Sequence, residues 1–132
     1  MVTTQEVVDR LTSLGYVVET SEVPNVEFEL MLIHDYIVNF CNFHTIDDIP
    51  PVLHYRIIDR VASEYLIKRK NAGLLPNFNY ETAIKSIREG DTQIQFGTAN
   101  DGGTPESRFD KLVDYMQRGF DKWLSVHRRI RW

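Results

Sequence analysis

Ile84-Lys-Ser-Ile-Arg-Glu-Gly-Asp-Thr-Gln-Ile-Gln-Phe-Gly97 decides how the chain is to be built. Read as a β-hairpin, it places Gly90-Asp91 at the two central positions of a type II′ turn, whose first residue needs φ > 0. That register sets Glu89 opposite Thr92, Ile87 opposite Ile94 and Lys85 opposite Phe96. One face then carries Ile87, Ile94 and Phe96, and the other carries Ser86, Arg88, Gln93 and Gln95, the alternation of a ribbon with one buried side. A hairpin alone is marginal in water, so its apolar face must pack on helices or on another subunit. A helical reading competes over the first half. Tyr80, Ala83, Ile84 and Ile87 keep helical spacing, Asn79 can cap them and Gly90 can stop them. Thr92 to Phe96 reads as strand, which favours the hairpin.

On either side of this stretch the pattern is helical. Thr4 to Leu14 is a first helix, with Thr3 or Thr4 as its cap, Val7, Val8, Leu11 and Leu14 as its stripe and Gly15 as its stop. Tyr16 to Val18 is a short extended link. The second helix begins near Pro24 or Asn25 and runs to about Asn42. Val26, Leu30, Ile33, Ile37 and Cys41 define one face; Phe28, Leu32 and Tyr36 define another, widened by Met31, Val38 and Phe40. A helix so apolar around its girth is either covered on all sides by its own domain or shares one face with another subunit.

A loop from Phe43 to Ile49 leads to the third helix, capped by Asp47 or Asp48, with Pro50 and Pro51 in its first turn. Val52, Tyr55, Ile58, Ala62, Tyr65 and Leu66 form its expected core stripe, and Gly73 ends it. After the hairpin, residues 98–104 (Thr-Ala-Asn-Asp-Gly-Gly-Thr) are expected to form a mobile loop. Thr104 caps a last helix with Pro105 in its first turn and Phe109, Leu112, Val113, Met116, Phe120, Trp123 and Leu124 on one side. The expected fold is mainly α: a single domain over 1–132, a bundle of about four helices with one β-hairpin inserted before the C-terminal helix.

Composition narrows the function. The 132 residues are 42% hydrophobic and carry a net charge of −4, which argues against general attraction to nucleic acid. One cysteine, Cys41, rules out an internal disulfide and suits a reducing cytoplasm. The N-terminal residues lack signal-peptide character, and no apolar run reaches membrane-spanning length. His34, Cys41 and His44 fall short of the four ligands of a structural zinc. Asp47-Asp48 suits a cap, Glu89 and Asp91 flank a turn glycine, and Gly102-Gly103 lacks the lysine of a phosphate loop. No catalytic group, cofactor or metal is expected.

The C-terminal arm, residues 126–132, differs from the rest. Arg128, Arg129 and Arg131 alternate with Ile130 and Trp132. The arm is either a frayed helix end whose arginines answer the macrodipole or a segment that docks on an acidic, apolar-lined partner, since Trp and Arg are frequent interface anchors. Nucleic acid is a third reading of the same arginines.

Helices followed by the Lys85-Ser-Ile-Arg-Glu-Gly-Asp-Thr92 hairpin, a glycine-rich loop and a final amphipathic helix resemble the head–tail connector proteins of tailed phages and prophages, also called adaptor or head-completion proteins. The helix from Pro50-Pro51-Val52-Leu53 to Tyr65-Leu66 fits the same pattern. The resemblance implies a structural virion protein rather than an enzyme. It implies a ring, typically dodecameric, docked below the portal protein and joined to the next tail-side connector or tail-completion protein, with DNA only passing through the channel and no membrane involved. It places the protein in the bacterial host cytoplasm during assembly and then in a virion or phage-tail-like particle. It carries portal binding onto Arg128, Arg129, Ile130, Arg131 and Trp132 by position. Subunit contact falls on the hairpin residues Lys85, Ile87, Arg88, Gly90, Asp91, Gln93, Ile94 and Phe96. A small DNA-binding or cytoplasmic protein-interaction module is the alternative; the connection from Asn42 to Ile49 is long for a helix-turn-helix.

Overall fold

In the computed structural model of the protein, the structure describes residues 1–74, 78–81, 83–85 and 104–130. Among them the protein is mainly helical and contains no strand. Helix α1 spans Thr4–Ser13. Thr3 caps it: the Thr3 hydroxyl accepts from the Glu6 amide at 3.3 Å while the Glu6 carboxylate accepts from the Thr3 amide at 3.0 Å. Gly15 follows at φ 92°, a backbone state that glycine adopts without the Cβ penalty, and it turns the chain out of the helix. One 3₁₀ turn, Thr20–Glu22, leads into α2, Val23–Cys41. Asn42 closes α2 in the left-handed region at φ 58°, where asparagine is the commonest substitute for glycine.

Two further 3₁₀ turns, Ile46–Asp48 and Pro51–Leu53, separate α2 from α3, His54–Asn71. Helix α4 spans Pro105–Ser125, with the Thr104 hydroxyl accepting from the Ser107 amide at 3.2 Å. Helices α2 and α3 form the central pair, and α1 and α4 each pack on both. Val7 and Leu11, Val26, Ile37 and Cys41, Ile57, Val61 and Leu66, and Phe109, Phe120 and Leu124 meet in one core. No helix among the described residues is long and apolar enough to cross a membrane.

The sequence-based expectations are corrected at three places. The hairpin does not begin at Ile84: Tyr80, Glu81, Ala83, Ile84 and Lys85 are helical, and the Ala83 amide bonds to the Asn79 carbonyl at 3.3 Å. Burial decides this, because helical spacing lets Ala83 and Ile84 enter the core while Tyr80 and Phe78 stack on Phe109 at 5.3 and 5.9 Å between ring centroids. The remainder of the expected hairpin and residues 98–103 lie outside the described residues. Second, Asp48 caps the turn before it rather than α3. Its carboxylate accepts from the amides of His44 and Thr45 at 3.0 and 3.2 Å. Third, Val52 and Tyr55 are exposed rather than core. Tyr55 keeps the azimuth of Ala62 and Leu66 but sits in the first turn of α3, where no described element covers it.

Candidate interaction surfaces

Three features of the surface stand out: a ridge, a groove and the C-terminal arm. The ridge is the outer face of α2, where Phe28, Met31, Leu32 and Tyr36 remain exposed, Phe28 at 64%. The described residues therefore leave this face of α2 open. Tyr36 is partly tied down, its hydroxyl donating to Asp121 of α4.

The groove, of about 360 Å³, lies between the N-terminal residues and the 46–57 segment. Val2, Ile46, Ile49, Pro51 and Tyr55 give it apolar walls. His34 lines it from α2 and is only 2% exposed. Among the described residues its ring takes part in no hydrogen bond or ion pair. Burial holds the His34 imidazole below the ordinary histidine range, with the N-terminal charge adding to the effect and Asp35 opposing it. A neutral ring is thus kept ready to accept a hydrogen bond. Asp47 on the rim is exposed and likewise has no partner among the described residues, whereas His54 on the rim pairs with Glu6 at 2.6 Å.

The arm is tied to the body further along than its composition suggests. The Arg129 amide donates to the Cys41 carbonyl at 2.8 Å, and the Asn42 side chain donates to the Arg129 carbonyl at 2.7 Å. The Arg129 guanidinium lies 3.4 Å from Asp48 and 4.9 Å from the centroid of the Phe43 ring. Arg128 lies 5.5 Å from the Phe40 ring centroid. Only at Ile130, 77% exposed, does the chain leave this clasp; Arg131 and Trp132 lie outside the described residues. Of the hairpin positions, Lys85 is helical and exposed. Ile87, Arg88, Gly90, Asp91, Gln93, Ile94 and Phe96 lie outside the described residues.

A second hollow, about 560 Å³, opens between the 15–25 segment and Arg69. Beside it Glu22 is saturated. It accepts from the Tyr16 hydroxyl at 2.5 Å, the Tyr65 hydroxyl at 3.4 Å and the Glu19 amide at 3.0 Å, and it pairs with Arg69 at 2.7 Å. Burial pushes the Glu22 carboxyl up, but the Tyr16 and Glu19 bonds and the Arg69 charge outweigh it and hold the group below the ordinary range. The Tyr16 hydroxyl is pushed well above its ordinary range by burial and by the same carboxylate. Neither is free to act as base or nucleophile. The knot ties the 16–22 link to α3, although Arg69 Nε stays buried without a partner. Sequence reading missed it because Tyr16, Glu22, Tyr65 and Arg69 are brought together only by the fold.

His34, Cys41 and His44 do not converge. Cys41 is buried, its thiol donating to the Leu124 carbonyl at 3.4 Å, and His44 is exposed. Among the described residues no group of three or more His, Cys, Asp or Glu is placed to hold a metal ion. Comparison with family models, with curated proteins and with solved structures returned no match.

Proposed function

We propose that the protein is a structural head–tail connector subunit that assembles head to tail into a ring below a portal. The observation that supports this best is a pair of apolar surfaces on separate faces of one small body, neither covered by the described residues. Along α2, His34 under the groove follows Leu32 on the ridge by two residues. At 3.6 residues per turn that places them about 160° apart around the helix, with Tyr36 as far, Phe28 about 120° and Met31 about 60° from His34. A two-fold dimer buries the same patch on both subunits, whereas two different patches on different faces suit a heterologous contact that closes as a ring. Subunit bodies of this kind need no catalytic group. The connection from Asn42 to Leu53, with its two 3₁₀ turns, is also unlike the tight corner of a DNA-reading helix pair.

The test is co-expression with the portal protein encoded nearest to it, followed by purification through the portal and electron microscopy. Rings of this chain stacked on the portal are expected. Recovery of the portal alone, at subunit concentrations well above those of the particle, overturns the reading.

A further inference from the structure

We propose that the ridge of α2 receives the edge formed by Val126, Arg128 and Ile130 of a second copy of this chain, with Arg128 set against Asp35. The inference rests on the ring reading and deepens it, since it names what one subunit offers to the ridge of the next.

The ridge is apolar but carries a charge in its middle. At 3.6 residues per turn Asp35 falls between Met31 and Leu32 around the helix, about 40° from the first and 60° from the second, and one turn further along. It is exposed, and among the described residues its carboxylate has no hydrogen bond or ion pair. Helix α2 contains no Lys or Arg that could answer it. Its other acids are Glu27, which is exposed, and Glu29, which is paired with Lys68 at 2.9 Å. Whatever covers this ridge must therefore bring a cation along with its apolar side chains, because a carboxylate covered without one is costly. Two ridges laid face to face would set each Asp35 against a helix that has no cation. The charge thus selects a different, basic patch as the counterpart.

The same chain offers that combination elsewhere. Val126 and Ile130 are 80% and 77% exposed, and Arg128 between them is exposed with no carboxylate partner among the described residues. Along the described chain no other pair of exposed large apolar residues brackets an unpaired Lys or Arg. Lys122, also exposed, lies one turn before Val126 and adds a second positive charge to the edge. Within one copy this edge sits at the C-terminal end of α2, where Cys41 and Asn42 hold Arg129 and where Arg128 lies against Phe40. Phe28 is about 20 Å back along the same helix, so the edge of one copy does not lie over its own ridge. The clasp on Arg129 also presents the edge in one place, which lowers the ordering cost of docking it. Giver and receiver are different patches, so the contact is heterologous and repeats from copy to copy.

Crosslinking of two distinguishable full-length copies tests this. One copy carries Leu32→Cys; the other, enlarged by a fused tag, carries Ile130→Cys; a short bismaleimide joins thiols that come together. The native chain, whose cysteine is buried, is the blank. A contact of this size is expected at a dissociation constant on the order of 0.1–1 mM, so the copies are mixed in that range. The species linking the two different copies should exceed either self-linked species by about fivefold or more. Asp35→Arg on the first copy, or Arg128→Asp on the second, should lower its yield by a similar factor, and the two swaps together should restore it. All four substitutions lie on exposed side chains, so circular dichroism should confirm that the fold is kept.

Absence of the mixed species, or a yield indifferent to either charge swap, overturns the proposal. So does equal linking between two Leu32→Cys copies, which would put ridge on ridge. Linking inside a single dilute chain that carries both cysteines overturns it as well, because the arm would then cover its own ridge. The full pattern from a protein that never rings on a portal would leave this contact standing and remove only the connector reading. Rings on a portal without the mixed species would do the reverse.

Discussion

Two hollows open on this protein, one of about 560 Å³ beside Glu22 and one of about 360 Å³ over His34, and their polar groups are treated in opposite ways. Beside the first, a carboxylate at 12% side-chain exposure collects two tyrosine hydroxyls, a backbone amide and an arginine. Beside the second, neither a histidine buried more deeply nor the carboxylate on the rim has a partner among the described residues. The knot satisfies its carboxylate fully, although Arg69 Nε within it stays buried without a partner, whereas the His34 ring is left facing the groove with no bond among the described residues. The comparison teaches that two hollows of similar size can differ in how far their polar groups are bonded.

The strongest way to break this contrast is to remove Glu22. Glu22→Ala deletes the common acceptor of Tyr16, Tyr65 and Arg69 and leaves a partly buried guanidinium uncompensated. Breaking a buried pair from one side typically costs about 3–5 kcal/mol, and the lower end is expected here because Arg69 is about a quarter exposed. Urea unfolding measures it. A loss below about 1 kcal/mol would mean the knot is incidental, and the contrast with the groove would lose its force.

The C-terminal clasp gives the next effect. Truncation after Arg128 removes the Arg129 bonds to Cys41 and Asn42, two hydrogen bonds together worth roughly 1–2 kcal/mol. Truncation after Ile130 keeps both bonds and should leave the more stable chain of the two. Composition alone places the boundary of the free arm earlier, so equal melting temperatures for the two truncations would restore that earlier boundary.

Acid sharpens the comparison, because the two hollows lose stability in different windows. His34 is held below its unfolded value of about 6.5, so below that pH the unfolded chain binds a proton that the folded chain resists. Stability should therefore fall as pH drops from about 6.5, and His34→Gln should flatten that slope. Glu22 is also held below its unfolded value, near 4.5. Its contribution is present above that value and is lost as pH falls through the folded one, together with those of Glu6 and Asp48. Thermal melts of the native and His34→Gln chains between pH 7 and pH 4 separate the two windows. A slope above pH 5 that survives the substitution would assign it to another group.

Much of this fold was legible in the sequence where the information is local. Thr3 with Glu6, Gly15, Gly73 and the Thr104-Pro105 start all mark helix ends through backbone groups a few residues away, and they fall where they were read. The stripe of Phe109, Val113, Phe120 and Leu124 was equally plain from its spacing. The unused second face of α2, from Phe28 to Tyr36, was legible as a surplus of apolar positions. The Glu22 knot and the Arg129 clasp were not, because their members lie 43 and 87 residues apart and nothing local joins them. The groove was hidden for a related reason. His34 reads as one polar residue on an apolar helix, and only the fold sets it beneath Val2, Ile49 and Pro51.

The smallest expected effect tests the rim of that groove. By periodicity Tyr55 belongs to the core stripe of α3, and a core tyrosine cut to alanine would be expected to cost several kcal/mol, as other large aromatics do. In the folded protein its side chain is 80% exposed and edges against His54 at 5.3 Å between ring centroids. Little apolar area is removed from water at that position, and alanine is also a better helix former in the first turn. Tyr55→Ala should therefore change unfolding stability by no more than about 0.5 kcal/mol. A stability loss near 3 kcal/mol would return Tyr55 to the core and close the groove on that side. A negligible loss is what a side chain outside the core gives, and it leaves the periodicity of α3 overruled at its first turn.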